Sequence, residues 1–270
     1  MLLGRFNDCY WQGSAMRVRE PAVAGRFYTD DADDLRREVR GYLADARVHL
    51  PEQPPGLIVP HAGHMYSGPV AATAYAQVRN ARRVVLAGPA HFIPVSGMAA
   101  PRAQAWRTPL GSIPIDHAGI EQAGLRRDDI PHAPEHSLEV QLPFLQEQLG
   151  KDWSLLPILV GRADPHEVAD VLGGFLGAPD TLVVLSTDLS HYHPYATAVA
   201  QDERTANHIV DRRWQVIADE DACGAYPLRG LLLAAQRHDM AVRLLDLRNS
   251  GDTAGPRDRV VGYGAFAVGV

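Results

Sequence analysis

The chain has 270 residues, 46% of them hydrophobic, and a formal charge of -6 at neutral pH. That apolar content supports a sizeable core, and with no Ser/Gly-rich linker or long charge run to divide the chain, one domain is expected. Scattered acidity argues against a nucleic-acid surface; no apolar stretch reaches the ~20 residues that cross a bilayer, and residues 1–16 lack the apolar core of a secretory signal.

A cytoplasmic location follows as the expectation. Residues 1–16 read as a flexible amino-terminal extension ahead of a single domain over 17–270, so Cys9 receives no role. Cys223 reads as a free thiol, because a reducing compartment keeps both cysteines unpaired. Next, TDDADDLRREVRGYLADAR (29–47) offers Asp and Thr caps with Leu35, Val39, Tyr42 and Leu43 at helical spacing, which predicts an amphipathic helix. A strand at 57–60 leads through PHAGHMYSG (60–68) into a small-residue helix over 69–78. The next strand, 83–87, ends in GPAHF (88–92), and the proline-interrupted stretch 93–134 predicts hairpins and loops.

Helical spacing resumes over 135–149 through Leu138, Leu142, Leu145 and Leu149, with Pro143 bending the first turns and His136 at the amino end. Strand 155–161 precedes helix 165–176, and strand 181–187 precedes a loop and helix 196–211. Helix 225–238 follows Cys223, after which VRLLDLRNS (242–250) and VVGYGAFAV (260–268) read as strands of a hairpin-like or mixed edge. The rhythm predicts an α/β fold with a central, mostly parallel or mixed sheet flanked by helices.

Several of these apolar runs stop at polar clusters. In open α/β sheets ligands bind beyond the carboxyl ends of the strands, so His61, His91 and the pair Asp188 and His191 can converge although far apart in sequence. If the strands before His61 and His91 are neighbours, their ends lie ~5 Å apart and both imidazoles reach one ion. Cys223, just before a helix, is the natural third partner as a thiolate; the bland reading is a small buried hydrophobe. No compact ligand motif such as CxxC or HExxH is present, so any metal site is assembled in space.

An Asp three residues before a His can orient its ring, which casts His191 as acid or base and Asp188 as its partner. His136 is a further candidate for this set, whereas Glu135, Glu139 and Gln141 read equally well as a solvated helix face. Tyr66 and His193 are candidates for substrate contact. His49, His64, His117, His132, His166, His208 and His238 read as surface or supporting residues.

Seven ordered motifs carry a family resemblance: PAVAGRFY (21–28), PHAGHMYSG (60–68), GPAHF (88–92), RTPLGSIPID (107–116), EHSLEVQLPFL (135–145), STDLSHY (186–192) and DACG (221–224). An eighth, VGYGAFAVG (261–269), closes the chain. Together they resemble the Memo family, known in microbes as protein B of the AmmeMemoRadiSam system. That family is similar in fold to class III, LigB-type extradiol dioxygenases. The resemblance implies a metal site on His61, His91 and Cys223, with His191, Asp188 and His136 as the proton-handling and substrate-facing set. It also implies association with an AMMECR-type or radical-SAM partner. Phe92 departs from the family pattern, where a second His often follows, and makes the pocket more apolar.

Two His and one Cys form a softer donor set than the two-His-one-carboxylate face of oxygen-activating iron, so Fe(II) is joined by Cu and Zn as expected cofactors. The leading expectation is a metal-dependent oxidoreductase acting with oxygen, or a reduced oxygen species, on a small organic substrate. The alternatives are a non-catalytic metal- or peptide-binding scaffold, and a thiol or zinc hydrolase using Cys223, His191 and Asp188.

Overall fold

The computed structural model describes residues 16–270, so the expected extension and Cys9 lie outside the described residues save for Met16. In chain order the elements begin with β1 (Val18–Arg19), α1 (Ala32–Asp45), β2 (Gly56–Val59), α2 (His64–Tyr75) and β3 (Arg83–Pro89). An excursion follows, with β4 (Met98–Ala100), β5 (Ala105–Thr108), β6 (Gly111–Pro114), α3 (His117–Gln122) and β7 (Arg126–Arg127). A 3-10 turn at Glu139–Gln141 then leads into α4 (Leu142–Leu149), β8 (Ser154–Val160), α5 (Pro165–Gly173), β9 (Thr181–Ser186) and β10 (His191–His193). The chain ends with α6 (Tyr195–Val210), α7 (Ala225–Arg237), β11 (Val242–Asn249), α8 (Ser250–Thr253) and β12 (Val260–Val268).

Nine of these strands form one mixed sheet, in the order β10-β12-β2-β9-β3-β8-β4-β7 with β11 along the other edge of β12. The centre, β2-β9-β3-β8, is parallel. Its strands read as unbroken apolar runs because helices cover the sheet: α7 packs on β3 and β9, and α2 on β11 and β12. A small sheet of β1, β5 and β6 stands apart. The fold is thus a single α/β domain with a mostly parallel central sheet, as the βα rhythm predicts. No helix among the described residues is long and apolar enough to cross a membrane.

Three local expectations change. β2 and β3 are not neighbours, because β9 runs between them and pairs with both. The helix expected from 135 starts as a 3-10 turn at Glu139 and becomes α-helical only at Leu142; Pro143 then lies in its first turn, where a missing N–H is harmless, and does not kink it. The small-residue helix begins five residues before Pro69, at His64, which draws that histidine inside.

Of the two expectations for His64 and His132, surface or supporting, the structure shows the second, because both are buried. Each places one ring nitrogen on a backbone carbonyl, that of Val140 at 2.9 Å and that of Ala99 at 3.1 Å. His132 lies beside a buried ion pair that ties the amino-terminal segment to the 132–141 stretch. Arg19 donates to Glu139 at 2.6 Å and also to the carbonyls of His132 and Glu135, while its guanidinium lies 4.4 Å from the Trp106 ring centroid. Glu139 also accepts from Tyr28 and from the backbone N–H groups of Ala22 and Val23. Every oxygen of this carboxylate is used, which lets a charge stay at 0% exposure.

Glu139→Ala leaves Arg19 buried and unpaired, so urea denaturation should show a loss of about 3–5 kcal/mol; a loss under about 1 kcal/mol would contradict the pinning role. Burial holds the His132 pKa down to about 4, against 6.5 for the free side chain. The unfolded chain therefore takes up a proton that the folded one refuses, and this part of the stability is complete above pH 6.5 and drains as pH falls toward 4. The loss from this group over that window should be about 3 kcal/mol. His132→Gln, compared with wild type by urea denaturation at both ends of the window, should flatten the pH slope by that amount; identical slopes would refute it.

Candidate metal centre

Side chains from four strand ends and two loops meet beyond the carboxyl edge of the parallel sheet. His61 follows β2, His91 follows β3, and Asp188 follows β9. β12 is longer than β2 and runs past its end, and there its amino half pairs with the 189–193 segment, which brings His191 to the same rim. The result is a cavity of about 590 Å³ whose floor holds His61, His91, His136 and Asp188.

Donor atoms of His61, His91 and His136 lie within 4.8 Å of one another, an arrangement that can hold a metal ion. His61 is buried, His136 is partly buried and His91 is more open. The His91 and His136 rings stack at 4.8 Å between centroids, and the His61 ring stands edge-on to both.

The hydrogen bonds fix which nitrogen each ring presents. Glu135, buried, accepts the backbone N–H of His91 at 2.6 Å and binds its Nδ1 at 2.9 Å, and also accepts the N–H groups of His136 and Ser137. A carboxylate can only accept, so Nδ1 of His91 carries the proton and Nε2 keeps its lone pair.

His61 is locked by a longer chain. Ser186 Oγ lies 2.6 Å from the Ser137 carbonyl, which can only accept, so the hydroxyl proton is committed there. Its lone pairs then receive Gln141 Nε2 and His61 Nδ1, both at 2.8 Å. His61 too is protonated at Nδ1 and presents Nε2. That atom lies 3.3 Å from Cys223 Sγ. Two ligands of one tetrahedral ion are about 3.5 Å apart, so the pair is spaced for a shared metal. His136 Nδ1 is buried 3.3 Å from Glu135 Oε1 without a hydrogen bond to it. Three clustered imidazoles with a thiol beside them fit a soft or borderline divalent ion.

Burial raises the cost of charge throughout. It holds His61 well below the usual imidazole range, with the neighbouring His91, His136 and His191 adding to the effect, and it holds His136 down to about 4. Burial works the other way on Glu135, but the hydrogen bonds from His91 and Ser137 outweigh it and hold the carboxyl at about 2. For Cys223, burial and then Asp188 push the thiol up to about 12.

The site residues expected from sequence divide as follows. His61 and His91 share the donor cluster, with His136 in it as well; Cys223 stands outside it and meets it through the His61 ring. His191 lines the cavity. Asp188, expected to steer the His191 ring, instead accepts the backbone N–H of His61 at 2.7 Å, and burial raises its pKa. It orients the loop after β2, and no hydrogen bond joins it to His191 among the described residues. Tyr66 lines the cavity, whereas Phe92 and His193 do not; Phe92 stands exposed with its ring 5.7 Å from that of His136.

His193 is displaced by its neighbour. Tyr192 has φ 60°, and the β10–β12 register shifts across it, so the two-residue alternation fails and both His191 and Tyr192 face the cavity. Sequence reading missed this, as it missed Glu135, Ser186 and Gln141; a polar residue at every second position from 135 to 141 was the available signal. Two glycines permit the close approach of the supports. A Cβ on Gly262 would fall 2.0 Å from Asp202 Oδ2, the carboxylate that holds Ser190 beside His191. One on Gly224 would fall 2.8 Å from Thr187 at the end of β9.

A family model for Memo-like protein matches residues 19–267. The chain is 34% identical over 270 residues to a MEMO1 family protein of Methanosarcina mazei, covering 94% of this chain and all of that relative. It is 35% identical over 272 residues to a MEMO1 family protein of Aquifex aeolicus, covering 92% and 98%. Its architecture is similar to that of uncharacterized protein JW3007 from Escherichia coli K12, with a TM-score of 0.51 and 11% identity over 78% of this chain and 99% of that one. At that identity the likeness is one of fold alone.

Glu135→Ala removes the acceptor that fixes His91, and Ser186→Ala removes the one that fixes His61. Each should weaken zinc or iron binding by about 10- to 100-fold in calorimetric titration while the fold survives. Wild-type affinity in both variants would show that the locks play no part in holding a metal.

Proposed function

This chain belongs to the Memo-like protein family, and from that premise and the pocket geometry we propose that it is a metal-dependent oxidoreductase acting on a small organic substrate. The metal is iron first, with copper or zinc accepted by the same donors. What carries the reading is the convergence of fixed imidazole lone pairs on one point at the floor of an aromatic-lined cavity. His61, His91 and Cys223 would hold the ion, with His136 facing the same point. When bound, iron or copper supplies one-electron chemistry toward oxygen, and zinc would supply Lewis acidity only.

The chain's own residues do the rest. His191 stands on the cavity wall clear of the Nδ1 locks, placed to take or return a proton at the substrate. Asp188 keeps the backbone of His61 in place. Phe27, Tyr66 and Tyr263 displace water from the substrate's apolar body. A thiol hydrolase is disfavoured, because Cys223 faces the Asp188 backbone and the His61 ring and does not line the cavity.

A second reading, binding of a peptide or metal without turnover, draws support from exposed apolar side chains at the site: Phe92, beside His136, and Tyr192, in the lining, are each more than half exposed. Anaerobic reconstitution with Fe(II), Cu(I) or Zn(II), followed by oxygen uptake on a catechol and small-molecule panel, separates the two. Metal-dependent uptake should disappear in His61→Ala and fall by about 10²- to 10⁴-fold in His191→Gln with metal content unchanged. No uptake with any metal, in protein that is fully loaded, would favour the binding reading. Loss of metal in Cys223→Ser but not in His136→Ala would identify the thiolate as third ligand; the reverse pattern would give that place to His136.

A further inference from the structure

We propose that the cavity selects a small organic acid, with Arg259 as the residue that reads its carboxylate. This rests on the functional reading above and names the substrate class of that same site. Of the residues lining the cavity, Arg259 alone carries a permanent positive charge. The one carboxylate in the lining, Asp188, is buried and spends its Oδ1 on the backbone N–H of His61.

Arg259 is also held for recognition. Its guanidinium lies 5.2 Å from the Tyr192 ring centroid, and among the described residues it has no ion-pair or hydrogen-bond partner. Arg257, two residues earlier, differs: it reaches Asp252 at 3.5 Å and lies over Tyr195. A guanidinium stacked on an aromatic face keeps its edge free, and that edge presents paired donors matched to a carboxylate.

The shelf beneath it is built at a cost in backbone strain. A tyrosine at φ 60° is uncommon, and here that conformation turns Tyr192 toward the cavity beside His191, where strict alternation would point it away. Phe27, Tyr66 and Tyr263 add apolar surface to the same cavity. The arrangement suits a molecule with an apolar, ring-sized body and an acidic group at the end remote from the metal donors, and about 590 Å³ accommodates it.

The test uses the full chain, metal-free and zinc-loaded, with phenylacetate, its neutral isostere phenylacetamide, and phenyl phosphate, read by calorimetry and ligand-observed NMR. Phenylacetate should bind the metal-free protein about tenfold more tightly than the amide. Arg259→Gln should erase that preference and Arg259→Lys should keep part of it, with thermal midpoints at the wild-type value. Equal binding of acid and amide, no binding of phenylacetate at millimolar concentration, or an undiminished preference in Arg259→Gln would each overturn the inference. Phenyl phosphate bound more than about tenfold tighter than phenylacetate, in an Arg259-dependent way, would make the acidic group a phosphate and overturn the carboxylate. Metal uptake is measured in the same samples. Failure of the metal reading would then show as missing metal with the acid preference intact, and failure of this inference as a lost preference at full loading.

Discussion

Seven residues, EHSLEVQ at 135–141, form a polar clasp across the carboxyl ends of the central strands, and the site depends on it. Glu135, Ser137, Glu139 and Gln141 are all essentially buried, and each is bonded to a different part of the chain. Glu135 takes the loop after β3, Ser137 the end of β3 through the Pro89 carbonyl, Glu139 the amino-terminal segment, and Gln141 the end of β2 through the Pro60 carbonyl. Buried polar groups of this kind stabilise only when fully satisfied, and here satisfaction requires all four segments in place at once. Assembly of the rim is therefore coupled to completion of the fold.

The same bonds decide the chemistry. A carboxylate on one ring and a committed hydroxyl on another force two histidines into the tautomer that leaves Nε2 free. Because β9 separates β2 and β3, the rings approach each other over its end, and the small Ser186 there is both spacer and lock. Fixing these orientations before any ion arrives removes much of the ordering that ligation would otherwise require. The cost falls on charge: burial keeps His61 and His136 neutral, the form in which an imidazole binds a metal.

Much of this architecture was legible in the sequence. Long apolar runs gave the parallel strands, because a strand covered on both faces has no polar alternation, and the positions just after them gave His61, His91, Asp188 and His191. What was not legible depended on neighbours that spacing does not specify. The interposed β9 is a matter of strand order. Glu135, Glu139 and Gln141 follow a pattern that suits a solvated helix face, and only the Arg19 segment and the two strand ends make it an interior one. Tyr192 took the place expected of His193 through a single positive φ, which no periodicity predicts. His64 and His132 read only as surface or supporting residues because their backbone-carbonyl partners, Val140 and Ala99, are distant in sequence.

Two locked imidazoles are set to offer their Nε2 atoms to one ion. Anomalous diffraction from crystals loaded anaerobically with Fe(II) or zinc would locate that ion. One strong scatterer bonded to Nε2 of both His61 and His91, with Nδ1 of each still on Ser186 and Glu135, is the predicted result. A scatterer bound through either Nδ1, or a metal-replete crystal with none at this cluster, would contradict it.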